Sequence, residues 1–213
     1  MKPLKVIIGC EFSATVRDEF IALGHDAMSC DLLPTDVPGP HYQGDVFDII
    51  NDGWDMMIAF PPCTHLALSG SQWFKEKQKD GRQAEALQFV RDLMNAPIEK
   101  IAIENPIGII STNIRKHDQI IQPYYFGDPF QKSTCLWLKN LEPLKRTNVV
   151  HKGEFKEWVD KKTGKRKRQP MWYLDSLSKG DLRWKIRSQT FPGIAKAMAQ
   201  QWSRPQLIQT KLL

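Results

Sequence analysis

The stretch Trp54-Asp55-Met56-Met57-Ile58-Ala59-Phe60-Pro61-Pro62-Cys63-Thr64-His65 opens as an apolar run and stops at two consecutive prolines. A short apolar run bounded by such breakers reads as a strand buried on both faces, the kind found inside parallel sheets. The prolines end it, because proline cannot donate to a strand ladder. A cysteine follows directly, held by rigid backbone just past the strand's carboxyl end.

On either side the same texture repeats. Residues 5–10 form a β-branched run, and a helical stretch over 14–23 is closed by Gly24. A second strand over 26–30 ends at Asp31, and 32–40 is rich in turn formers (Pro34, Pro38, Gly39, Pro40) and reads as irregular. A short helix is expected over 45–52. Ala86, Leu87, Val90, Leu93 and Met94 recur at helical spacing within 82–96, which Pro97 stops. Residues 100–103 form another strand, ending at Glu104-Asn105-Pro106. Strands alternating with helices predict an α/β fold: a mostly parallel sheet with right-handed crossovers and helices on both faces. Ligands of such sheets gather beyond the carboxyl ends of the strands. Glu11, Asp31, Asp45, Cys63 and Glu104 all fall at such an end or just past it. Further along, 134–138 is strand-like. Phe155–Val159 and 171–174 read as the two arms of a hairpin with Thr163-Gly164 near its tip, and a last helix over 194–202 follows Pro192-Gly193.

With 213 residues and a hydrophobic fraction of 41%, the chain suffices for one well-buried domain. No apolar run approaches the roughly 18 residues that span a membrane. The apolar run after Met1-Lys2-Pro3-Leu4-Lys5 is too short for a signal-peptide core, so a cytoplasmic protein is expected. Cysteines at 10, 30, 63 and 135 include no close pair, which predicts neither a metal site nor disulfides. Cys10 and Cys30, at the ends of strand-like runs, read as small buried residues. The net charge is +6 and the pI about 9.1. Lys161, Lys162, Lys165, Arg166, Lys167 and Arg168 together equal the whole positive excess, so the basicity is local. A compact basic site favours a polyanionic partner; a solvated, flexible loop is the alternative. Trp158, Trp172, Tyr173 and Trp184 lie among these charges. They either stack on exposed bases or form a small core beneath the hairpin.

Cys63 is the candidate nucleophile. The thiolate is its reactive form, and backbone N–H groups in such loops lower a thiol's pKa; a structural cysteine in a turn is the alternative. Glu104, at the end of the neighbouring strand, is placed to act as a proton donor or hydrogen-bond acceptor, or else to cap a helix. Asp31 occupies the usual ribose-contacting position of dinucleotide-type folds, or caps its turn. Asp45, after Gly44, reads equally as a helix N-cap.

Pro61-Pro62-Cys63, Glu104-Asn105-Pro106 and Tyr125-Phe126-Gly127-Asp128-Pro129-Phe130-Gln131 together resemble motifs of the cytosine-5 DNA methyltransferase family. More loosely, Cys10-Glu11-Phe12-Ser13-Ala14-Thr15 occupies the place of that family's S-adenosylmethionine loop. The likeness spans most of residues 5–138. It is nearest to short, phage- or prophage-type members that lack a large target-recognition domain. The resemblance implies a Rossmann-like methyltransferase core over 1–138 and 187–205, with a small basic nucleic-acid-contacting insertion over 139–186. It implies that Cys63 attacks C6 of a cytosine in DNA, with RNA as the alternative, while Glu104 binds the N3 edge. Glu11, Phe12, Ser13, Asp31, Asp45 and Pro61 would bind S-adenosylmethionine. Gln131 and Lys132, with the basic cluster, would contact nucleic acid, and a protein partner could assist recognition. The chain departs from the pattern in three places. Its first loop has no glycine, Ser133 and Cys135 stand where the family has two arginines (Lys132 being a substitute), and only about 50 residues are available for target recognition. These departures keep open a catalytically impaired relative that only binds nucleic acid.

Overall fold

The computed structural model describes residues 2–203; positions 204 and 205 of the expected core segment lie outside the described residues. Among the described residues nine strands form: β1 (Lys5–Gly9), β2 (Asp26–Asp31), β3 (His41–Gln43), β4 (Met56–Ala59), β5 (Lys100–Pro106), β6 (Gln119–Ile121), β7 (Thr134–Lys139), β8 (Phe155–Val159) and β9 (Arg166–Pro170). The helices are α1 (Thr15–Ala22), α2 (Val46–Ile49), α3 (Phe74–Lys79), α4 (Arg82–Met94), α5 (Ile110–Asn113), α6 (Met171–Leu177), α7 (Arg183–Ser188) and α8 (Pro192–Trp202). Seven strands make one sheet in the order β3-β2-β1-β4-β5-β7-β6, and β8 pairs with β9 alone. All neighbours in the main sheet are parallel except that β7 runs antiparallel to both β5 and β6.

Alternation along the strands divides the core in two, as side chains of successive residues point to opposite faces. Ile7, Met57, Ala59, Ile101 and Ile103 pack with Leu87, Val90 and Leu93 of α4. Val6, Ile8, Met56, Ile58 and Ala102 pack on the other face with Val16 and Phe20 of α1 and Ile194, Ala195, Met198 and Trp202 of α8. Each fully buried aliphatic side chain stabilises the fold by roughly 1.5–3 kcal/mol. The doubly covered, mostly parallel sheet is the Rossmann-like α/β fold expected from the sequence. Strand order reverses between β1 and β4, because β2 and β3 are laid down on one side and β4 and β5 on the other.

The irregular segment before β3 is organised by Arg17, whose side chain is fully buried. Its guanidinium donates to the carbonyls of Val37, Pro38 and Pro40 at 3.2–3.4 Å and pairs with Asp18 at 2.8 Å.

One expected element moves. The second arm of the hairpin is Arg166–Pro170, and residues expected to be strand, 171–174, begin helix α6. Trp158 faces Lys167 across the ladder, and Arg168 lies over the Phe155 ring at 5.0 Å. The hairpin is therefore held by cross-strand contacts with no buried face to mark it. Trp172 of α6 instead packs against Phe130 and Phe191 at ring distances of 6.4 and 6.0 Å, all three partly buried. Trp158 and Trp184 stay exposed, at 39% and 54%.

Candidate active site

Cys63 stands on the loop after β4 and Glu104 among the last residues of β5, which runs on to Pro106 rather than ending at 103 as expected, and the two segments are bonded to each other. The side-chain amide of Asn105 donates to the Pro61 carbonyl at 2.7 Å, in a buried position. Two backbone bonds follow, Leu68 N to Ile107 O and Ile109 N to Leu66 O, each 3.0 Å. Gly108 permits the approach: a Cβ there would lie 2.2 Å from the Leu66 carbonyl oxygen. The Cys63 carbonyl accepts from Leu66 and Ala67, closing a tight turn. Two side chains fix that turn from behind, Lys77 donating to the Thr64 carbonyl at 2.6 Å and Gln83 to that of His65 at 3.2 Å. The Pro-Pro-Cys and Glu-Asn-Pro motifs are thus one structural unit.

Their electrostatics are shared as well. Burial raises the Glu104 carboxyl above its ordinary range, opposed by the Lys132 ammonium and a hydrogen bond with the Thr134 hydroxyl. Cys63 is exposed, yet partial desolvation and the Glu104 carboxylate raise its thiol, while Lys132 and Arg187 act the other way. The expectation of a lowered thiol pKa is therefore corrected, since desolvation and a neighbouring acid outweigh the backbone donor. Lys132 lies in this group, with its Nζ on the Arg187 carbonyl at 3.1 Å. Arg187 is a participant that the sequence did not single out, and Asn105, quoted only as part of its motif, gains a role in joining the two segments. Only the tertiary fold brings Arg187 from α7 to Cys63, and no spacing rule could have found it.

A cleft of about 390 Å³ opens at the reversal of strand order, where α/β sheets hold their ligands. Cys10, Asp31, Leu32, Asp45, Pro62, His65 and Phe89 are among its walls. Burial raises the Asp31 carboxyl, and its Oδ1 accepts from Leu33 N at 3.0 Å. Asp45 both lines the cleft and caps α2, accepting from Phe47 N at 3.0 Å. His65 turns to this wall, where burial lowers its pKa and its Nδ1 is buried without a partner. Cys10, expected to be buried, is partly exposed here, just past β1 and at a positive φ of 58°.

Glu11, Phe12 and Ser13 form the turn into α1 and do not line this cleft. The Glu11 carboxylate accepts from Val16 N at 2.7 Å and Arg17 N at 3.3 Å, standing in for an N-cap side chain that Ala14 cannot provide. Burial pushes that carboxyl up to about 7. Phe12 packs on Trp184 at 5.7 Å, and Lys185 of the same helix pairs with Asp36. Helix α7 therefore touches the loop after β1 as well as Lys132. Pro61, expected at the cofactor, is buried and does not line the cleft, whose wall there is Pro62. The Gln131 carbonyl accepts from Trp172 at 3.1 Å, while its side-chain oxygen is buried without a partner. Lys161, Lys162, Lys165, Arg166, Lys167 and Arg168 are all exposed on the hairpin, where Lys167 pairs with Asp160. Among the described residues no helix is long and apolar enough to cross a membrane.

Strand order and the switch-point cleft together define a Rossmann-like α/β protein. No family model and no curated protein matches the chain. Among solved structures, it is similar to EhMeth, a methyltransferase of Entamoeba histolytica, at 17% sequence identity and a TM-score of 0.47. The match covers 74% of this chain and 59% of that one, so the chain spans under two thirds of that protein's length.

Proposed function

We propose that this chain methylates C5 of cytosine in DNA, with Cys63 as nucleophile and Glu104 as its acid partner. The observation that carries the reading is the bond between the loop after β4 and the end of β5, which sets an exposed thiol and a desolvated carboxyl into one electrostatic group. The Cys63 thiolate adds to C6 of the target base, and the electrons of the C5–C6 double bond move toward C5. Glu104, protonated to higher pH than an ordinary carboxyl, donates to N3 and neutralises charge gathering on the ring. Lys132 and Arg187 favour the thiolate form. S-adenosylmethionine, when bound, supplies an electrophilic methyl group. The cleft suits such a ligand: its volume lies in the usual range for small-molecule sites, Leu32 and Phe89 offer apolar wall, and the acids suit hydroxyl and cationic groups. Asp31 would hold the ribose hydroxyls and Asp45 the adenine amine. Loss of the C5 proton and expulsion of the thiolate then restore the ring. A cytosine within a duplex must first be flipped out, at a cost of roughly a few kcal/mol.

A second reading, a nucleic-acid-binding relative with little catalytic power, is favoured by the raised thiol. One experiment separates the two. The protein is incubated with labelled S-adenosylmethionine and duplex DNA, single-stranded DNA or tRNA, and then trapped on 5-fluorocytosine substrates. The expected outcome is incorporated methyl and a denaturation-resistant adduct that Cys63→Ser abolishes. Absence of both on every substrate would sink the catalytic reading.

A further inference from the structure

Arg146 lies over the Tyr125 ring at 3.9 Å, and Lys152 over the Tyr124 ring at 5.5 Å. Both tyrosines follow β6. Because β7 runs antiparallel to β5 and to β6, β6 points the same way as β5, and its carboxyl end lies at the Glu104 end of the sheet. The segment bearing the two cations is firmly held. Thr147 N and Asn148 N donate to the Tyr125 carbonyl at 3.2 and 3.3 Å, and Val150 N to that of Tyr124 at 2.9 Å. The Lys145 backbone N–H donates to the Gln201 side-chain oxygen on α8, and its carbonyl accepts from the Gln201 side-chain nitrogen, each at 2.8 Å.

Neither Arg146 nor Lys152 forms an ion pair with a carboxylate among the described residues, whereas Lys167 of the hairpin is paired with Asp160. A ring holds a cation in place without cancelling its charge. Both side chains are exposed, so two preorganised positive charges face solvent at the catalytic end of the sheet. Two such fixed, unpaired cations on one short segment suit a ligand carrying several anions, as a phosphodiester backbone does. We propose that residues 145–152 form a second phosphate-binding arm, which holds the nucleic-acid backbone together with the β8–β9 hairpin. This rests on the reading of the chain as a nucleic-acid-modifying protein.

The test is fluorescence anisotropy of labelled duplex and single-stranded oligonucleotides, titrated at several salt concentrations. Arg146→Gln with Lys152→Gln is expected to weaken binding across sequences and to flatten the slope of log K against log salt by about one to two units. The charge-conserving pair Arg146→Lys with Lys152→Arg should keep the wild-type slope. The arm is overturned by an unchanged slope in the glutamine variant, by equal loss in the charge-conserving one, or by a wild-type protein that binds no oligonucleotide. Binding with the expected slopes but without methyl transfer would sink only the catalytic reading. Methyl transfer with an unchanged slope in the glutamine variant would sink only the arm.

Discussion

At Cys63 the balance of three neighbouring charges decides how readily the sulfur ionises. Glu104 opposes the thiolate, and Lys132 and Arg187 support it. Glu104→Gln should therefore lower the pH midpoint of Cys63 alkylation by iodoacetamide, and Lys132→Met should raise it, both followed by intact mass. A midpoint indifferent to Glu104 would mean that the two groups share no field. Glu11 makes a separate pH prediction, for stability. Its carboxyl titrates near 4.5 when free and at about 7 in the fold. The folded state then binds the proton more tightly, so this group's contribution is full below 4.5 and is lost as pH rises toward 7. Glu11→Gln should flatten the fall of Tm over that window in thermal melts; an unaltered curve would place the carboxyl's titration elsewhere. The position of Cys63 just past a strand was legible because prolines end the apolar run of β4, whereas the strand expected to end at Glu104 runs on to Pro106. The direction of the thiol's shift was not legible, because it depends on groups 41, 69 and 124 positions away in the chain.

At the scale of elements, the paired loops after β4 and β5 carry the geometry of the site. Gly108→Ala drives a methyl group into the Leu66 carbonyl and should cost on the order of 1–3 kcal/mol. Asn105→Leu strands the buried Pro61 carbonyl at a similar cost. Both are measurable by urea denaturation, and wild-type stability in either would show that the loops are not held by this contact. The strands that build the site could be read from sequence, since burial on both faces leaves unbroken apolar runs such as Met56–Ala59. The hairpin arm Arg166–Pro170 could not. Its side chains are mostly exposed, so no apolar alternation marks its register, and the apolar 171–174 next to it drew the strand assignment instead. The short edge strands β3 and β6 were missed for lack of length, three residues each.

Across the whole molecule, the largest basic cluster stands apart from the core. The hairpin shares no ladder with the seven-stranded sheet, and its basic side chains are exposed. Neutralising Lys165, Arg166, Lys167 and Arg168 together should flatten the salt dependence of nucleic-acid binding while leaving the thermal unfolding midpoint near that of the wild type. A large drop in that midpoint would instead give the hairpin a part in the fold. The α/β class was legible because alternating apolar runs and helical periodicity agree over the first hundred residues. The meeting of α7 with both Phe12 and Lys132 was not, because it joins segments more than fifty residues apart. The separate two-stranded sheet has an engineering consequence. Segment 155–170 can be lengthened or exchanged for a foreign ribbon without re-registering any strand of the main sheet, which makes it the natural graft point in the chain.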